Sequence, residues 1–340
     1  MAVTLYDVAS EAGVSISTVS RTLSAPERVA PSTRARVRAA VEMLGYQPNR
    51  AASLLRSGRT GVIGMVVPDL ENPYFAGIVK GVQARARLAG SVSLIVDSDE
   101  KPQEEVALVR LLIQQTDGIV LCAPRALDND MSLLSRVPVV LVNQVWRDVP
   151  SITIDHSTGM LRAVEHLRAL GHRALAYVGG PEHSRSDADR RDGLRRAQEL
   201  YSDLTITSLG NFPPQVAGGE AAADLAAASG ATGVLAFNDL VAIGLLRRLA
   251  RRGLRVPEDI SVVGTDDTLV AQLATPQLTT LHVDLAQLGK VAVELLLDLI
   301  ARGPAAAPGS PSPAIREPLD LVVRASTGMA PASSASHTTS

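Results

Sequence analysis

The chain has 340 residues, of which 46% are hydrophobic and 20% charged. A chain of this length is too long to fold around one small hydrophobic core and suits a short domain followed by a large one. The single cysteine, Cys122, excludes an intrachain disulfide framework and a cysteine-ligated metal cluster. Neither a signal peptide nor an apolar run of about 18 residues occurs, so we expect a cytoplasmic protein without a membrane span.

The charge is distributed unevenly along the chain. Residues 1–60 carry eight arginines and four acidic residues, a net charge of +4, whereas the remainder carries −6. A basic segment on an acidic body indicates a polyanionic partner for the first 60 residues alone. Basic surface by itself, however, is usually only solvated surface.

The sequence pattern of residues 1–48, which we call the head, predicts three short helices. The first covers residues 4–12 and ends at Gly13, the second covers about 16–23, and the third runs from about 32 to 44. Each has apolar residues at helical spacing on one side. The first two helices and the glycine turn between them have the pattern of a helix-turn-helix, for which a plain helical hairpin is the alternative.

The exposed face of the second helix carries side chains that can contact DNA. Arginine can form two hydrogen bonds to O6 and N7 of guanine, and small hydroxyls can reach phosphates or base edges. The candidates are Ser15, Ile16, Ser17, Thr18 and Arg21.

From residue 61 the pattern changes to apolar runs that alternate with helical stretches. The runs cover residues 61–67, 91–96, 117–123 and 138–143, and then 174–180, 203–209, 231–237 and 259–264. Near-continuous apolar strands alternating with helices predict parallel sheets covered on both faces. Because the pattern is longer than one doubly wound sheet needs, we predict two lobes, the second repeating the first.

Polar and aromatic residues follow several of these runs, where sheets of this kind bind ligands at the carboxyl ends of their strands. The candidates are Asp69, Asn72, Tyr74, Phe75, Asp97, Ser98, Gln144, Asp155, His156, Asn238, Asp239, Asp266 and Asp267. Phe75 and Phe237 fit the core better than a ligand site, and Asp239 and Asp267 fit helix caps.

Several segments resemble the LacI/GalR (lactose-repressor) family of bacterial transcriptional regulators. In order they are TLYDVASEAGVSISTVSRTL, VAPSTRARVRAAVEMLGYQPNRAASLL, TGVIGMVVPDLENPYF, VEHLRALGHRALAYVGG, RRDGL, FNDLVAIG, DISVVGTDD, PQLTTL and PLDLVVRAS. The resemblance extends from about residue 4 to residue 327.

The resemblance implies an α/β fold with a helix-turn-helix head at 1–48 and a hinge helix and linker at 49–60. A two-lobed effector-binding and dimerisation domain then covers 61–327, with two doubly wound parallel sheets like those of periplasmic binding proteins. The composition of residues 328–340 predicts a disordered tail.

By position, the resemblance assigns Ile16, Ser17 and Arg21 to base reading in the major groove. It assigns Tyr6 and Ser15 to contacts with the DNA backbone.

The resemblance also implies a hinge helix, at residues 49–55, that orders on DNA. Asn49, Ala52 and Leu55 are its expected DNA contacts, with Leu55 as a wedge that kinks the central base step from the minor groove. Ordinary packing of Leu54 and Leu55 in a linker is the alternative.

In the effector-binding domain, the resemblance implies that Arg190, Asn238 and Asp266 are polar effector contacts and that Phe212 packs on the effector ring. The chain has only nine aromatic residues. Three aromatic residues near the predicted cleft, and the amide side chain of one asparagine, complete the expected effector site. They are Tyr74, Phe75 and Trp146, with Asn72.

Two positions depart from the family pattern and leave the identity of the effector open. Val283 stands where the family often has a glutamine, and His156 stands where it often has an asparagine. His156 and His282 lack a third ligand at metal-binding spacing, so we expect no metal and no cofactor.

We therefore expect a sequence-specific transcriptional repressor that binds palindromic double-stranded operator DNA as a homodimer. A small metabolite in the cleft, a sugar or sugar derivative, would control it. A regulator of the same fold that responds to a nucleobase or nucleoside, or that depends on a corepressor, is the alternative. No phosphate loop, nucleophile elbow or H-E-x-x-H motif indicates an enzyme. The tail lacks the heptads that would indicate a tetramer.

Overall fold

The computed structural model describes residues 3–46, 59–126, 134, 136–303 and 314–332. Contacts between Cα atoms divide the chain into two compact units, Met1–Thr60 and Gly61–Ser340. In the described ranges, no helix is long and apolar enough to cross a bilayer, and no three His, Cys, Asp or Glu side chains are grouped to hold a metal ion.

The smaller unit contains three helices in its described part: α1 (Leu5–Ala12), α2 (Ile16–Ser24) and α3 (Pro31–Leu44). These confirm the predicted elements. They enclose one small core, whose buried residues are Val8, Ala9, Ala12, Val19, Val37, Ala40 and Tyr46.

Local hydrogen bonds determine where the first two helices begin and end. Thr4 and Asp7 form a reciprocal capping box at the start of α1. Gly13 ends α1 with φ of 61°, a left-handed conformation that glycine adopts at little cost. Ser15 then caps α2, its hydroxyl accepting from the backbone N–H of Thr18 at 3.2 Å.

The larger unit is built mainly on parallel strands, eight of which follow the predicted apolar runs. The strands in the first sheet are β1 (Val62–Val67), β2 (Val92–Asp97), β3 (Gly118–Cys122), β4 (Val139–Val142), β5 (Ser151–Ile154) and β11 (Ala314–Glu317). Those in the second sheet are β6 (Ala174–Gly179), β7 (Thr205–Asn211), β8 (Gly233–Ala236), β9 (Ser261–Asp266), β10 (Thr279–His282) and β12 (Asp320–Val322).

Helices cover both sheets. They are α4 (Pro73–Leu88), α5 (Pro102–Gln115), α6 (His156–Ala169), α7 (Arg185–Leu200), α8 (Val216–Ala228), α9 (Asp239–Arg251), α10 (Leu269–Leu273) and α11 (Leu285–Arg302). The central strands β3 and β4 are buried at every residue, which explains their unbroken apolar sequences.

The strand order is β11-β5-β4-β3-β1-β2 in the first sheet and β12-β10-β9-β8-β6-β7 in the second. The predicted two-lobed α/β fold is therefore confirmed. The strands β5, β10, β11 and β12 lie outside the eight predicted apolar runs, and β12 pairs antiparallel with β10. The first lobe consists of the first sheet with α4, α5 and α11, and the second lobe consists of the second sheet with α6–α10. The lobes are consequently not the two halves of the chain, because α11 and β11 return to the first lobe.

Helix pairs within each lobe pack with their backbones in contact. A Cβ atom on Gly81 of α4 would lie 2.0 Å from the carbonyl oxygen of Ala286 in α11. A Cβ atom on Gly219 of α8 would lie 2.0 Å from the carbonyl oxygen of Val241 in α9. Glycine is therefore required at these two crossings.

The start of the predicted disordered tail is attached to the second lobe. The N–H of Gly328 donates to the hydroxyl of Ser261 at 3.1 Å, and the N–H of Ala330 donates to the carbonyl of Leu170 at 2.8 Å. The prediction of disorder was wrong for residues 328–332, where backbone hydrogen bonds outweigh a composition rich in small residues. Residues 333–340 lie outside the described ranges.

Candidate functional site

The predicted base-reading face of α2 is solvent-accessible. Ile16 is 47% exposed although it is apolar, and Ser17 and Arg21 are also exposed. Tyr6 of α1, the predicted backbone contact, is 69% exposed. These side chains are therefore accessible to a partner.

A cluster of hydroxyl groups occupies the start of α2. The hydroxyl of Ser15 lies 2.8 Å from that of Ser17 and 2.8 Å from that of Thr18. A helix N-terminus with its free backbone N–H groups favours anions such as a phosphate. The predicted hinge contacts Asn49, Ala52 and Leu55 lie outside the described residues.

In the larger unit, a cleft opens between the lobes at the carboxyl ends of the strands. Its cavity has a volume of about 30 Å³. Six of the eight predicted effector contacts line it: Asn72, Tyr74, Phe75, Arg190, Asn238 and Asp266. The cleft is therefore where polar and aromatic side chains from both lobes meet.

Arg190 dominates the chemistry of the cleft. Its side chain, on α7, is 3% exposed, and its Nε and Nη1 atoms are buried without a hydrogen-bond partner in the described residues. The guanidinium carbon lies 4.4 Å from the ring centroid of Phe237. A buried cation with unused donors is costly on its own and is suited to receive oxygen atoms of a ligand.

Asp266 faces this guanidinium from the end of β9. Its Oδ1 lies 3.9 Å from Nη2 of Arg190, an ion-pair distance beyond a hydrogen bond. Burial raises the pKa of Asp266 well above its usual value, the charge of nearby Asp239 adds to this, and Arg190 opposes it.

The backbone that carries Asp266 is strained. Asp266 has φ of 110° and Asp267 has φ of 49°, both in the region that disfavours side chains. The carboxylate of Asp267 is bound by Arg324 and by Nδ1 of His282, at 2.9 Å. These side chains fix the turn that aims Asp266, so the expected helix-cap role of Asp267 is wrong.

Asn238, not Asp239, caps helix α9. Its Oδ1 accepts from the N–H of Val241 at 2.9 Å, and its Nδ2 donates to the carbonyl of Pro214 at 2.9 Å. One amide hydrogen of Asn238 is still available to a ligand in the cleft.

Asp239 instead belongs to a buried network. It accepts from the hydroxyl of Thr280 at 2.6 Å and from the N–H and hydroxyl of Thr268 at 2.7 and 2.8 Å. Burial raises the pKa of Asp239 to about 6.

A chain of hydrogen bonds that sequence reasoning missed crosses the cleft. The amide nitrogen of Asn143, in the first lobe, lies 2.8 Å from the hydroxyl of Ser186 in the second lobe and 3.3 Å from that of Tyr74. Oδ1 of Asn143 lies 3.2 Å from Nε2 of His156. Burial lowers the pKa of His156 well below its usual value, so this imidazole is neutral.

The two remaining predicted contacts lie elsewhere. Trp146 lines a separate cavity of about 340 Å³ beside the cleft. Phe212 is half-buried and packs against the core of the second lobe. It is not among the side chains that line the cleft. Phe237, expected in the core, is buried and also forms the surface beneath Arg190.

Other lining residues could have been found from their positions. Asn143 directly follows β4, where the sequence predicts its neighbour Gln144, and Ser184 and Ser186 follow β6. The pair Arg125–Glu100, with Nε and Oε2 at 2.8 Å, has no signal in the sequence, because it depends on the approach of two separate loops.

Comparisons with known proteins agree with this geometry. The family described as "Bacterial regulatory proteins, lacI family" matches residues 4–49, and the "Periplasmic binding protein-like domain" matches residues 164–327. The HTH-type transcriptional regulator DegA of Bacillus subtilis is 32% identical over 300 residues, which cover 85% of this chain and 89% of that protein.

Two solved structures extend the comparison to three dimensions. The lac repressor dimer bound to operator and the anti-inducer ONPF has a TM-score of 0.82 at 31% identity and covers 96% of this chain and 100% of its own. A cellobiose complex of the transcriptional regulator CelR has a TM-score of 0.70 at 29% identity and covers 95% and 99%. The chain belongs to the LacI/GalR family and is a DNA-binding transcriptional regulator with an effector-binding domain of the periplasmic-binding-protein type.

Proposed function

We propose that the protein is a repressor that binds a palindromic operator as a homodimer and is controlled by a sugar or sugar derivative between its lobes. The observation that carries the effector assignment is the buried Arg190, which lines the cleft near Asp266 and whose Nε and Nη1 donors have no hydrogen-bond partner in the described residues. A guanidinium and a carboxyl group together can bind neighbouring hydroxyl groups of a sugar ring.

The effector side chains come from both lobes. Tyr74 belongs to the first lobe, and Arg190 and Asp266 belong to the second. A ligand held by both sets stabilises one relative position of the lobes, and it can switch DNA binding only through its difference in affinity for two states. The cavity volume of about 30 Å³ is far below the roughly 300 Å³ or more of pockets that bind small organic ligands. A sugar therefore enters only as the lobes or the lining side chains move.

On the DNA side, we assign base reading to Ile16, Ser17 and Arg21, and backbone contacts to Tyr6, Ser15 and Thr18. We assign minor-groove contacts to Asn49, Ala52 and Leu55 of the hinge, residues 49–60. One helix-turn-helix reads few base pairs, so two copies on a palindrome supply the specificity. With such a partner, we expect the protein to act in the cytoplasm with the chromosome, as a regulator and not as an enzyme.

A nucleobase or nucleoside is the second candidate effector. Flat rings line the cleft, with Tyr74 and Phe75 edge to face at 5.0 Å and Phe237 beneath Arg190. Such surfaces bind planar ligands, and the amide of Asn143 can bond a ring edge.

Selection from a random DNA library with the purified full-length protein tests the DNA assignment. We expect a palindromic site that Leu55→Ala weakens. Operator titrations with sugars and nucleosides then test the effector assignment, with Arg190→Met as the variant and Arg195→Met, an exposed arginine on the same helix, as the control. An effector that leaves operator affinity unchanged would exclude allosteric control.

A further inference from the structure

A second cavity lies beside the cleft and shares lining residues with it. We call it the outer chamber; it is lined by parts of loops 124–125 and 144–146 of the first lobe and 182–188 of the second. Arg125 and Ser184 line both cavities. The cleft and the outer chamber therefore adjoin at these two side chains.

The two cavities differ greatly in size. The outer chamber measures about 340 Å³ against about 30 Å³ in the inner cleft. Pockets for small organic ligands generally occupy about 300–1,000 Å³. Most of the space available to an effector at this interface is thus outside the inner cleft.

The two arginines that line the outer chamber are already paired with carboxylates. Nε of Arg125 donates to the carboxylate of Glu100 at 2.8 Å, and its Nη2 donates to the same carboxylate at 3.2 Å. Nε of Arg185 lies 3.0 Å from Asp189. Arg190 in the inner cleft, by contrast, has unused donors. The outer chamber therefore favours a neutral ligand group over a phosphate or carboxylate.

The wall of the outer chamber also carries an aromatic side chain. Trp146 is half-buried, and Arg147 lies 4.6 Å from its ring centroid. Gln144 and Ser184 beside it supply an amide and a hydroxyl. A large ring with polar neighbours suits the mixed apolar and hydroxylated surface of a sugar ring.

We propose that the effector has two ring units, one bound by Arg190 and Asp266 in the cleft and a second, neutral unit bound against Trp146 in the outer chamber. The effector class is thus a neutral disaccharide or an equivalent glycoside. This inference rests on the proposed control by a sugar, and it makes Trp146 the residue that determines preference for two units.

Calorimetry on the full-length protein tests the proposal with neutral disaccharides, such as cellobiose, maltose, trehalose and lactose, and with their component monosaccharides. We expect one disaccharide to bind at least about tenfold more tightly than its units, the gain of about one aromatic stacking contact. Trp146→Ala should reduce that ratio to near one. Tyr201→Ala, which removes an aromatic ring with a similar arginine contact at 4.4 Å, should preserve it.

The chain has one tryptophan, so fluorescence reports on the outer chamber directly. We expect the bound disaccharide to change the emission of Trp146. A monosaccharide that binds as tightly as every disaccharide, with a ratio insensitive to Trp146→Ala, would overturn the two-unit proposal and leave control by a sugar intact. Failure of all these sugars to bind would overturn both and would direct the search to nucleosides.

Discussion

Nε2 of His156 lies 3.2 Å from Oδ1 of Asn143, and this contact orients the amide that joins the two lobes. When Oδ1 accepts from the imidazole, the amide nitrogen faces Ser186 and Tyr74 as a donor. Both hydroxyls then accept from Asn143 and keep their own protons for a ligand. His156 is in this way a positioning residue for hydroxyl donors in the cleft.

Replacing His156 tests this role. We expect His156→Leu to weaken effector binding by about tenfold, the cost of about one misdirected hydrogen bond. His156→Gln, whose amide can donate to Asn143, should recover most of the affinity. Calorimetry with the effector from the ligand screen measures both, and thermal unfolding checks that each variant folds. Equal affinity in the leucine variant and the wild type would contradict the positioning role.

Arg190→Met should separate binding from stability. The variant removes a buried cation with two unpartnered nitrogens, and the carboxyl group of Asp266 that it leaves behind can stay protonated because burial raises its pKa, so we expect a melting temperature no lower than that of the wild type. Effector affinity should fall by about a hundredfold, since truncating a buried charge contact commonly costs about 2–5 kcal/mol. Thermal scans with and without effector measure both properties. A large loss of stability would show that Arg190 is chiefly structural.

The lobes could be anticipated from the apolar runs, because strands buried on both faces have unbroken apolar sequences. The antiparallel pairing of β12 and the return of α11 to the first lobe could not. Both depend on contacts between segments far apart in the chain, and periodicity reports only local structure.

The residues of the cleft were predictable in part. Residues at strand ends, such as Asp266, were found because topology places them there. Asn143 was missed by one position, since only its backbone, with φ of 60°, turns its side chain toward the other lobe. Trp146 could not be assigned to the outer chamber from a pattern that marks only proximity to a strand end.

The pKa of Asp239 predicts how stability varies with pH. Burial raises this pKa to about 6, from 3.8 in a solvated aspartate. The folded protein therefore binds the proton more tightly, so this contribution is complete below about pH 4 and is lost as the pH rises through about 6. Asp239→Asn removes the titration and keeps an oxygen for Thr268.

We expect Asp239→Asn to gain stability relative to the wild type as the pH rises from 4 to 7, by about 3 kcal/mol for a shift of about two units. Urea unfolding at several pH values measures the difference. Asp224→Asn is the control of opposite sign, because hydrogen bonding to Arg248 lowers the pKa of Asp224. A difference between wild type and Asp239→Asn that is independent of pH would show that Asp239 is protonated or charged throughout.

Arg21→Ala should change which DNA sequence is preferred. Arg21 is exposed on α2, and its backbone carbonyl, which accepts from the N–H of Ala25 at 2.8 Å, is retained in the variant. Loss of a two-bond contact to guanine costs about 1–3 kcal/mol, and we expect relaxed preference at one position of each half-site.

Arg38→Ala removes the same charge from an exposed position of α3. It should at most weaken binding to all sequences alike. Fluorescence anisotropy with operator and scrambled duplexes at one salt concentration compares the two variants. If Arg21→Ala also weakens both duplexes equally, Arg21 contacts phosphate, and base reading rests on Ile16 and Ser17.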